Sequence, residues 1–246
     1  QQARLQTRLG WQDEFIAFHF AGKTEESHAR TAQLGLEWQQ KKGRMEWRFG
    51  ANTQYLRASS DGYKDKNAWY QQTRLEGFAS IERAIAKGGK ASVLLRQSHA
   101  SAQAAPFTWT LGLELPAGKT SLLHGHFSRN YNLPTFNDRF WETLDNSTLS
   151  PEKGYSADIG WKFNRKHFGA DLTAFHLLLD DWILWSPGSV DGIFRPGNLR
   201  KVSSRGLELG AQLNYKFWRI NWKLKGQAQW SETKNKAVYD GNQAAL

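Results

Sequence analysis

The chain has 246 residues, enough for one good-sized domain, and a formal net charge of +10 at pH 7. It contains no cysteine, which excludes disulfides, thiolate metal sites and cysteine nucleophiles. Its lysines and arginines are scattered along the chain, whereas a nucleic-acid surface needs a clustered basic stripe, so no nucleic-acid partner is expected.

The distribution of hydrophobic residues favours β-strands over transmembrane helices. No apolar run is long enough for a transmembrane helix, and no signal peptide opens the chain. A membrane β-barrel also lacks such runs, because its lipid-facing residues occupy every second position. The aromatic excess, with 12 Trp, 7 Tyr and 14 Phe, favours interfacial belts at a membrane surface.

Alternation of apolar and polar residues predicts about twelve strands in chain order. The first six cover about 3–12, 15–22, 29–40, 44–57, 68–82 and 91–98. The last six cover about 107–115, 120–130, 155–163, 167–183, 202–217 and 220–230. A helix across 75–87 is the competing prediction for the fifth strand.

The predicted connections alternate in length, as they do in an outer-membrane barrel with short turns at one end and long loops at the other. The short ones are 13–14, 41–43, 86–90, 116–119, 165–166 and 217–219. The long ones are 23–28, 58–67, 99–106, 131–153, 184–201 and 232–246.

Several aromatic residues fall near the predicted short turns, which would place them in one ring at a membrane interface. They are Trp11, Trp38, Trp47, Phe163, Phe168, Phe217, Trp218 and Trp222. The alternative is that they cap the core of a soluble β-sandwich, although such sandwiches rarely have strands this long and this uniformly alternating.

The longest connection lies within His126–Glu152 and carries a recognisable pattern. Its residues are Arg129, Pro134, Thr135, Asn137, Asp138 and Trp141, followed by Leu149, Pro151 and Glu152. This pattern resembles the signature of TonB-dependent outer-membrane transporters, and within them it is most similar to cobalamin and catecholate-siderophore receptors. A second run, with Asp180–Asp181–Trp182–Ile183, Asn198 and Arg205–Gly206–Leu207–Glu208–Leu209, also resembles the family.

The resemblance implies an all-β fold, a transmembrane antiparallel β-barrel, with about 12 strands present of a probable 22. Residues 1–246 would form an internal part of the barrel domain, roughly its strands 6–17. Nothing in the chain resembles the family's plug domain. The pattern departs from the family at Gly241–Leu246, where members continue toward further strands, so the C-terminal strands are also expected to be absent.

Long loops held by a rigid barrel are where recognition residues concentrate, so binding is the expected role. The candidate ligand-binding residues are Tyr131, Phe136, Arg139, Trp141, Trp182, Trp185, Phe194 and Arg195, together with Phe140. They could form an apolar, cation-bearing rim suited to a flat or anionic metal chelate. The alternative for each is that it holds the loops together.

A second group of residues matches family positions that we expect to be structural. They are Arg129, Pro134, Asn137, Asp138, Pro151, Glu152, Gly206 and Glu208.

No catalytic residue, cofactor or metal site is expected. The seven histidines show no helical metal-ligand spacing. His124 and His126 share a strand face and could bind a metal if a third ligand faced them, but polar lining of a lumen is the expected role. Asp180 and Asp181 would point to opposite strand faces and could not share a proton.

The expected function is a receptor in the outer membrane of a Gram-negative bacterium that imports a scarce, large nutrient. Cobalamin and iron-siderophore chelates are the substrate classes that the resemblance implies. The expected partners are outer-membrane lipid, a small-molecule or metal-chelate ligand, and the TonB complex, which would act through a plug domain that this chain lacks. A passive porin-like channel and a structural barrel subunit are the alternatives; a surface enzyme would need a Ser–His pair on one face.

Overall fold

The computed structural model describes residues 2–20, 22–101, 103, 105–142, 149–187 and 192–236. Within these ranges the chain forms eleven β-strands, one short α-helix and a single 3₁₀ turn at Ala86–Gly88. The strands are β1 Gln2–Phe20, β2 Lys23–Lys42, β3 Met45–Ser60, β4 Tyr70–Ala84, β5 Lys90–Ala100, β6 Thr108–Pro116, β7 Ser121–Asn132, β8 Glu152–Asn164, β9 Phe168–Pro187, β10 Phe194–Phe217 and β11 Ile220–Asn235. The helix is α1, Phe136–Phe140.

All eleven strands form one sheet in which each pairs antiparallel with its neighbours in the chain, in the order β1 to β11. Within the described residues, the outer edges of β1 and β11 have no strand partner. None of the helical segments in the described part of the chain is long and apolar enough to cross a membrane. The single antiparallel sheet confirms the all-β prediction.

The register keeps apolar residues on one side of the sheet. Leu9 faces Leu34, Leu111 faces Phe127, and Leu172 faces Leu209 across neighbouring strands. Side chains alternate between the two faces of a strand, so the intervening polar residues share the other side. We call these two sides the apolar face and the polar face.

The apolar face does not pack into a core. Leu111 is 45% exposed, Ile159 68% and Leu209 51%, although all three lie in the middle of their strands. The buried hydrophobic residues among those described are Ala58, Tyr63, Ala100, Leu133, Phe136 and Val202. A soluble sandwich, which would turn its Leu and Trp residues inward onto a second sheet, is therefore excluded for the described sheet.

The predicted turn at Asp13–Glu14 is wrong, and the residues that the structure describes form eleven strands in one antiparallel sheet. β1 runs uninterrupted from Gln2 to Phe20, so the first two predicted strands are one. Asp13 of β1 lies opposite Arg30 of β2. The Arg30 Nε is 3.0 Å from the Asp13 Oδ2, so the carboxylate has a cationic partner within the sheet. The chain reverses just before Lys23, and Gly22 there adopts a φ of +77°, so 23–28 is strand, not loop.

Two further expectations are corrected. The alternative helix over 75–87 does not form, because most of this segment belongs to β4. That strand pairs with β3 as far as Arg83 and with β5 as far as Ala84. The predicted loop over 184–201 is mostly strand, since β9 continues to Pro187 and β10 begins at Phe194.

The connections differ between the two ends of the sheet. One end, the turn end, has only short connections, at 43–44, 85–89, 117–120, 165–167 and 218–219. The other, the loop end, has the connections 21–22, 61–69, 101–107, 133–151 and 188–193. Long loops thus lie at one end only, as the alternation of lengths predicted.

Aromatic residues do gather at the turn end. Trp38 stacks on Phe49 at 5.7 Å between ring centroids, and Phe163 lies 6.1 Å from Phe168 across a short turn. Trp11 is the exception among the residues predicted for this ring. Trp11 pairs with Ala32 well inside β1. The predicted turn at Asp13–Glu14, which would have put Trp11 near the end of a strand, does not exist.

Candidate functional site

The β7–β8 connection contains helix α1, which is fixed by its own capping residues. The Thr135 hydroxyl oxygen accepts a hydrogen bond from the Asp138 backbone N–H at 3.2 Å, and the Asp138 carboxylate accepts from the Thr135 N–H at 2.8 Å. This capping box satisfies two backbone donors that a helix start leaves without partners. A five-residue helix can therefore hold a defined orientation on a loop.

Asp138 also attaches α1 to the hairpin formed by β9 and β10. Its second carboxylate oxygen accepts a hydrogen bond from the Trp185 indole Nε1 at 2.8 Å. The Trp141 and Trp185 rings meet edge to face, 6.0 Å apart at 87°. One carboxylate therefore serves both the helix cap and the contact between α1 and β9.

The β3–β4 loop packs against the other side of α1. The Tyr63 hydroxyl donates to Asn137 Oδ1 at 2.9 Å. Backbone hydrogen bonds run from Lys64 N to Phe140 O and from Glu142 N to Gly62 O, each 2.8 Å long. Segments some 80 residues apart in the chain thus form a short two-stranded contact at the loop end.

An aromatic group fills the space between these loops. Tyr70 stacks on Phe140 with ring centroids 3.9 Å apart, and Tyr63 meets Tyr70 edge to face at 5.5 Å. Phe136 is buried with Tyr63 and Ala58. We call residues 61–70 and 133–142, with the facing Trp185, the loop cluster.

Gly62 permits the close approach of Trp141 within the loop cluster. A Cβ built on Gly62 would lie 2.5 Å from the nearest atom of the Trp141 indole ring. Any other residue at this position would push the ring away. The indole therefore rests directly on the backbone of the β3–β4 loop.

Burial changes the electrostatics of two groups in the loop cluster. Burial raises the pKa of the Tyr63 hydroxyl to about 12, because the charged phenolate is poorly solvated there. Burial also lowers the pKa of the Arg139 guanidinium from its usual value. The Arg139 Cζ lies 4.6 Å above the Phe140 ring.

Arg139 retains unused donor capacity. Its Nη1 is buried and has no hydrogen-bond partner among the residues that the structure describes. A buried donor without a partner is costly, and a guanidinium can bind a carboxylate or phosphate with two parallel N–H groups. The loop cluster therefore holds a half-buried cation able to accept an anionic group.

Polar side chains tie the ends of the β7–β8 connection to the β9–β10 hairpin. The Asn198 amide accepts from Ser150 N at 2.9 Å and donates to Ser150 O at 3.1 Å. The Glu152 carboxylate accepts from Ile183 N at 2.8 Å and from the Asn132 amide at 3.1 Å. These contacts explain why acidic and amide residues occupy such positions near the loop end.

The candidate ligand-binding residues are only partly brought together. Phe136, Arg139, Trp141 and Trp185 meet in the loop cluster, where Phe136 is buried. Trp182 is half-buried opposite Leu199, and Phe194 is exposed at the start of β10 beside a half-buried Arg195. Tyr131 pairs with Lys153 near the loop end. It lies on the apolar face of β7, the same face as Phe127.

The expected structural residues occupy several distinct places. Asn137, Asp138 and Glu152 make the hydrogen bonds given above, and Pro134 is buried beside them while Pro151 is half-buried. Arg129 is on the apolar face between Trp109 and Tyr155. Gly206 and Glu208 belong to the polar face of β10, where Gly206 leaves room for the Phe175 ring.

Sequence reasoning missed the contribution of the β3–β4 loop. Tyr63, Tyr70 and Gly62 supply half of the loop cluster, yet the segment 59–67 is dominated by turn-forming polar residues. A single tyrosine within such a polar stretch was the available signal. Tyr63 is buried, with 4% of its surface exposed.

A protein-family model matches more than half of the chain. Residues 89–245 match the family model described as TonB dependent receptor-like, beta-barrel. The vitamin B12 transporter BtuB of Vibrio vulnificus (strain YJ016) is 28% identical over 104 residues, which are 42% of this chain and 17% of that protein. The matched region therefore spans less than a fifth of this curated relative.

Solved structures share the fold. The siderophore receptor PirA from Pseudomonas aeruginosa superimposes with a TM-score of 0.70 at 13% identity, over 92% of this chain and 51% of that one. The copper transporter OprC gives a TM-score of 0.71 at 18% identity, over 95% of this chain and 43% of that one. The chain thus spans about half the length of these two solved chains, and its sheet has the architecture of a transmembrane barrel wall.

Proposed function

Since this chain belongs to the TonB-dependent receptor-like β-barrel family, we propose that it supplies wall and outer loops to an outer-membrane receptor. That receptor binds and imports a scarce, large nutrient such as cobalamin or an iron-siderophore chelate. The curated relatives are named vitamin B12 transporters, and one structural neighbour is named a siderophore receptor. Its setting would be the outer membrane of a Gram-negative bacterium, with the apolar face against lipid.

Arg139 is the observation that carries this proposal. The Arg139 guanidinium is half-buried over the Phe140 ring, and its positive charge favours a ligand that carries an anionic group. Cobalamin carries an anionic phosphodiester, and a ferric catecholate chelate is itself an anion. Trp141 and Trp185 provide rigid aromatic surface beside it.

We infer that the chain is an internal part of its barrel domain, near strands 6–17 of 22, and that a plug contacting TonB is supplied elsewhere in the receptor. An open sheet edge in hydrocarbon leaves a row of backbone groups without partners. Free outer edges on β1 and β11 in the described sheet, and the half-length match to solved barrels, support this inference. Mass spectrometry of the native protein tests it, since a product no larger than this chain contradicts it.

A binding experiment tests the receptor proposal. The full-length receptor in detergent is titrated with cyanocobalamin and, separately, with ferric enterobactin, and tryptophan fluorescence is recorded. We expect saturable binding of one of them, weakened about tenfold or more in Arg139→Gln because a charge-assisted contact is lost. Arg165→Gln, which removes an arginine from a short turn at the opposite end, is the matched control and should bind like the wild type.

Each outcome is informative. Binding of neither ligand contradicts the assigned substrate classes, and ion conductance by the reconstituted protein in that case indicates a passive channel. Unchanged affinity in Arg139→Gln shows that the loop cluster only holds the loops together.

A further inference from the structure

Two histidines lie next to each other on the polar face of β7. His124 and His126 are two residues apart, so both side chains leave the strand on the same side. Their ring centroids are 6.0 Å apart. The pair is near the turn end of the sheet, because β7 begins at Ser121, and it is separate from the loop cluster.

A carboxylate on the neighbouring strand faces this pair. Asp158 of β8 is directly opposite His126, and its Oδ1 is 3.0 Å from His126 Nδ1. Two histidines on one strand can bind a metal only if a third ligand faces them. The pairing of β7 with β8 supplies it.

His124 has no internal partner. Both of its ring nitrogens are buried, and neither makes a hydrogen bond within the described part of the chain. A neutral imidazole carries one donor and one acceptor, and leaving both unused is unfavourable. Metal coordination through one nitrogen removes that cost.

Glycines on both sides make room for the two rings. Gly160 is opposite His124, and a Cβ built there would be 2.5 Å from His124 Nε2. Gly112 is opposite His126, and a Cβ there would be 3.2 Å from His126 Cδ2. The rings therefore lie across bare backbone, which brings them close to the sheet and to Asp158.

We propose that His124, His126 and Asp158 bind a divalent transition-metal ion on the inner wall of the barrel. One ligand atom from each residue lies within 4.8 Å of the others. An ion about 2.0–2.1 Å from both His126 Nδ1 and Asp158 Oδ1 would join two atoms already at contact distance, and rotation of the His124 ring supplies the third bond. Two imidazoles and one carboxylate favour Zn²⁺ or Cu²⁺ over Ca²⁺ and Mg²⁺, which prefer oxygen ligands.

Metal binding to the full-length receptor, purified without a histidine tag, tests the proposal. Isothermal titration with Zn²⁺ should show one site per chain, with Ca²⁺ producing no comparable heat. His124→Gln and Asp158→Asn should each weaken Zn²⁺ binding at least tenfold, while His167→Gln, in an exposed short turn, should not. Gly160→Ala keeps all three ligands but displaces the His124 ring, and it should also weaken binding.

Electron paramagnetic resonance of the Cu²⁺-loaded wild-type receptor gives a readout that does not depend on a variant folding. Coupling to two imidazole nitrogens is expected, falling to one in His124→Gln. Absence of bound Cu²⁺, or a spectrum and Zn²⁺ affinity that are the same in His124→Gln as in the wild type, overturns the proposal. Because these measurements use the metal alone, they are independent of whether the loops bind a nutrient.

Discussion

At the scale of single residues, Asp138 combines two tasks that would ordinarily need two side chains. One oxygen accepts from the Thr135 N–H and the other from the Trp185 indole N–H. Both donors lie in the loop cluster, and a buried donor left without a partner costs about 1–3 kcal/mol. The family resemblance led us to expect a structural role for Asp138, but the contact with Trp185, 47 residues along the chain, required the fold.

We expect Asp138→Ala to loosen the loop cluster without unfolding the sheet. The helix cap and the Trp185 contact are lost together, so the local free energy of opening should fall by about 2 kcal/mol. Hydrogen exchange of residues 133–142 measures this change. Glu142→Gln removes a carboxylate from an exposed ion pair with Lys66, and it should leave exchange nearly unchanged; equal effects of the two variants would contradict the assignment.

Tyr63 makes the loop cluster sensitive to alkaline pH. Its pKa is raised to about 12, whereas an unfolded tyrosine ionises near pH 10. The folded loop therefore retains the proton longer, and its stability is full below about pH 10 and falls as the pH rises toward 12. The absorbance titration of the wild type minus that of Tyr63→Phe should show a phenol with a midpoint near 12; a midpoint near 10 would show that Tyr63 is not buried in solution.

At the scale of elements, polar side chains decide where strands and loops meet. Asn198 joins β10 to the end of the β7–β8 connection by hydrogen bonds to both backbone groups of Ser150. The side chain of Glu152 does the same for β9 through Ile183 N. These ties cross between hairpins that are separated by tens of residues, so no local pattern predicts their partners.

We expect Asn198→Ala to release the segment at Ser150 from the hairpin. Each lost hydrogen bond contributes about 1 kcal/mol, so amide exchange at Leu149 and Ser150 should accelerate severalfold to about a hundredfold. Asn214→Ala near the turn end is the amide control, and it should leave that segment unaffected. Protection at Ser150 that survives Asn198→Ala would show that packing alone holds the connection.

The first strand illustrates where sequence patterns mislead. Asp13 and Glu14 interrupt an apolar alternation and so favour a turn, but Asp13 is neutralised by Arg30 on β2. A cross-strand ion pair is visible only once the register is known. In contrast, the alternation in β6 to β8 is a local signal, and it correctly indicated three strands.

At the scale of the whole molecule, the separation of the sheet into an apolar and a polar face determines its environment. The lysines and arginines that give the charge of +10 are scattered along the sequence, and polar residues alternate with exposed Leu, Ile and Trp residues along the strands. This architecture followed from periodicity and from the family resemblance. The side-chain partners within the loop cluster did not, because they depend on how three separate hairpins meet.

We expect a charge on the apolar face to impair assembly in a membrane. Leu209→Lys, in the middle of β10, should cost about 2–4 kcal/mol if the residue is near the bilayer midplane. The folded fraction after refolding into lipid vesicles, read by heat-modifiable mobility on a gel, measures this effect. Gln212→Lys, on the polar face of the same strand, should refold normally; equal loss in both variants would argue against lipid on the apolar face.

The strictly sequential strand order has a consequence for how continuous the polypeptide must be. Each strand pairs only with its neighbours in the chain, so no later strand has to be inserted between two earlier ones. A protease cut in the β7–β8 connection would leave two fragments that still share twelve cross-strand pairs, from Ser121–Phe163 to Asn132–Glu152. We therefore expect two such fragments to reassemble into the same sheet. The pairing of β7 with β8, and not an unbroken backbone, would hold the wall together.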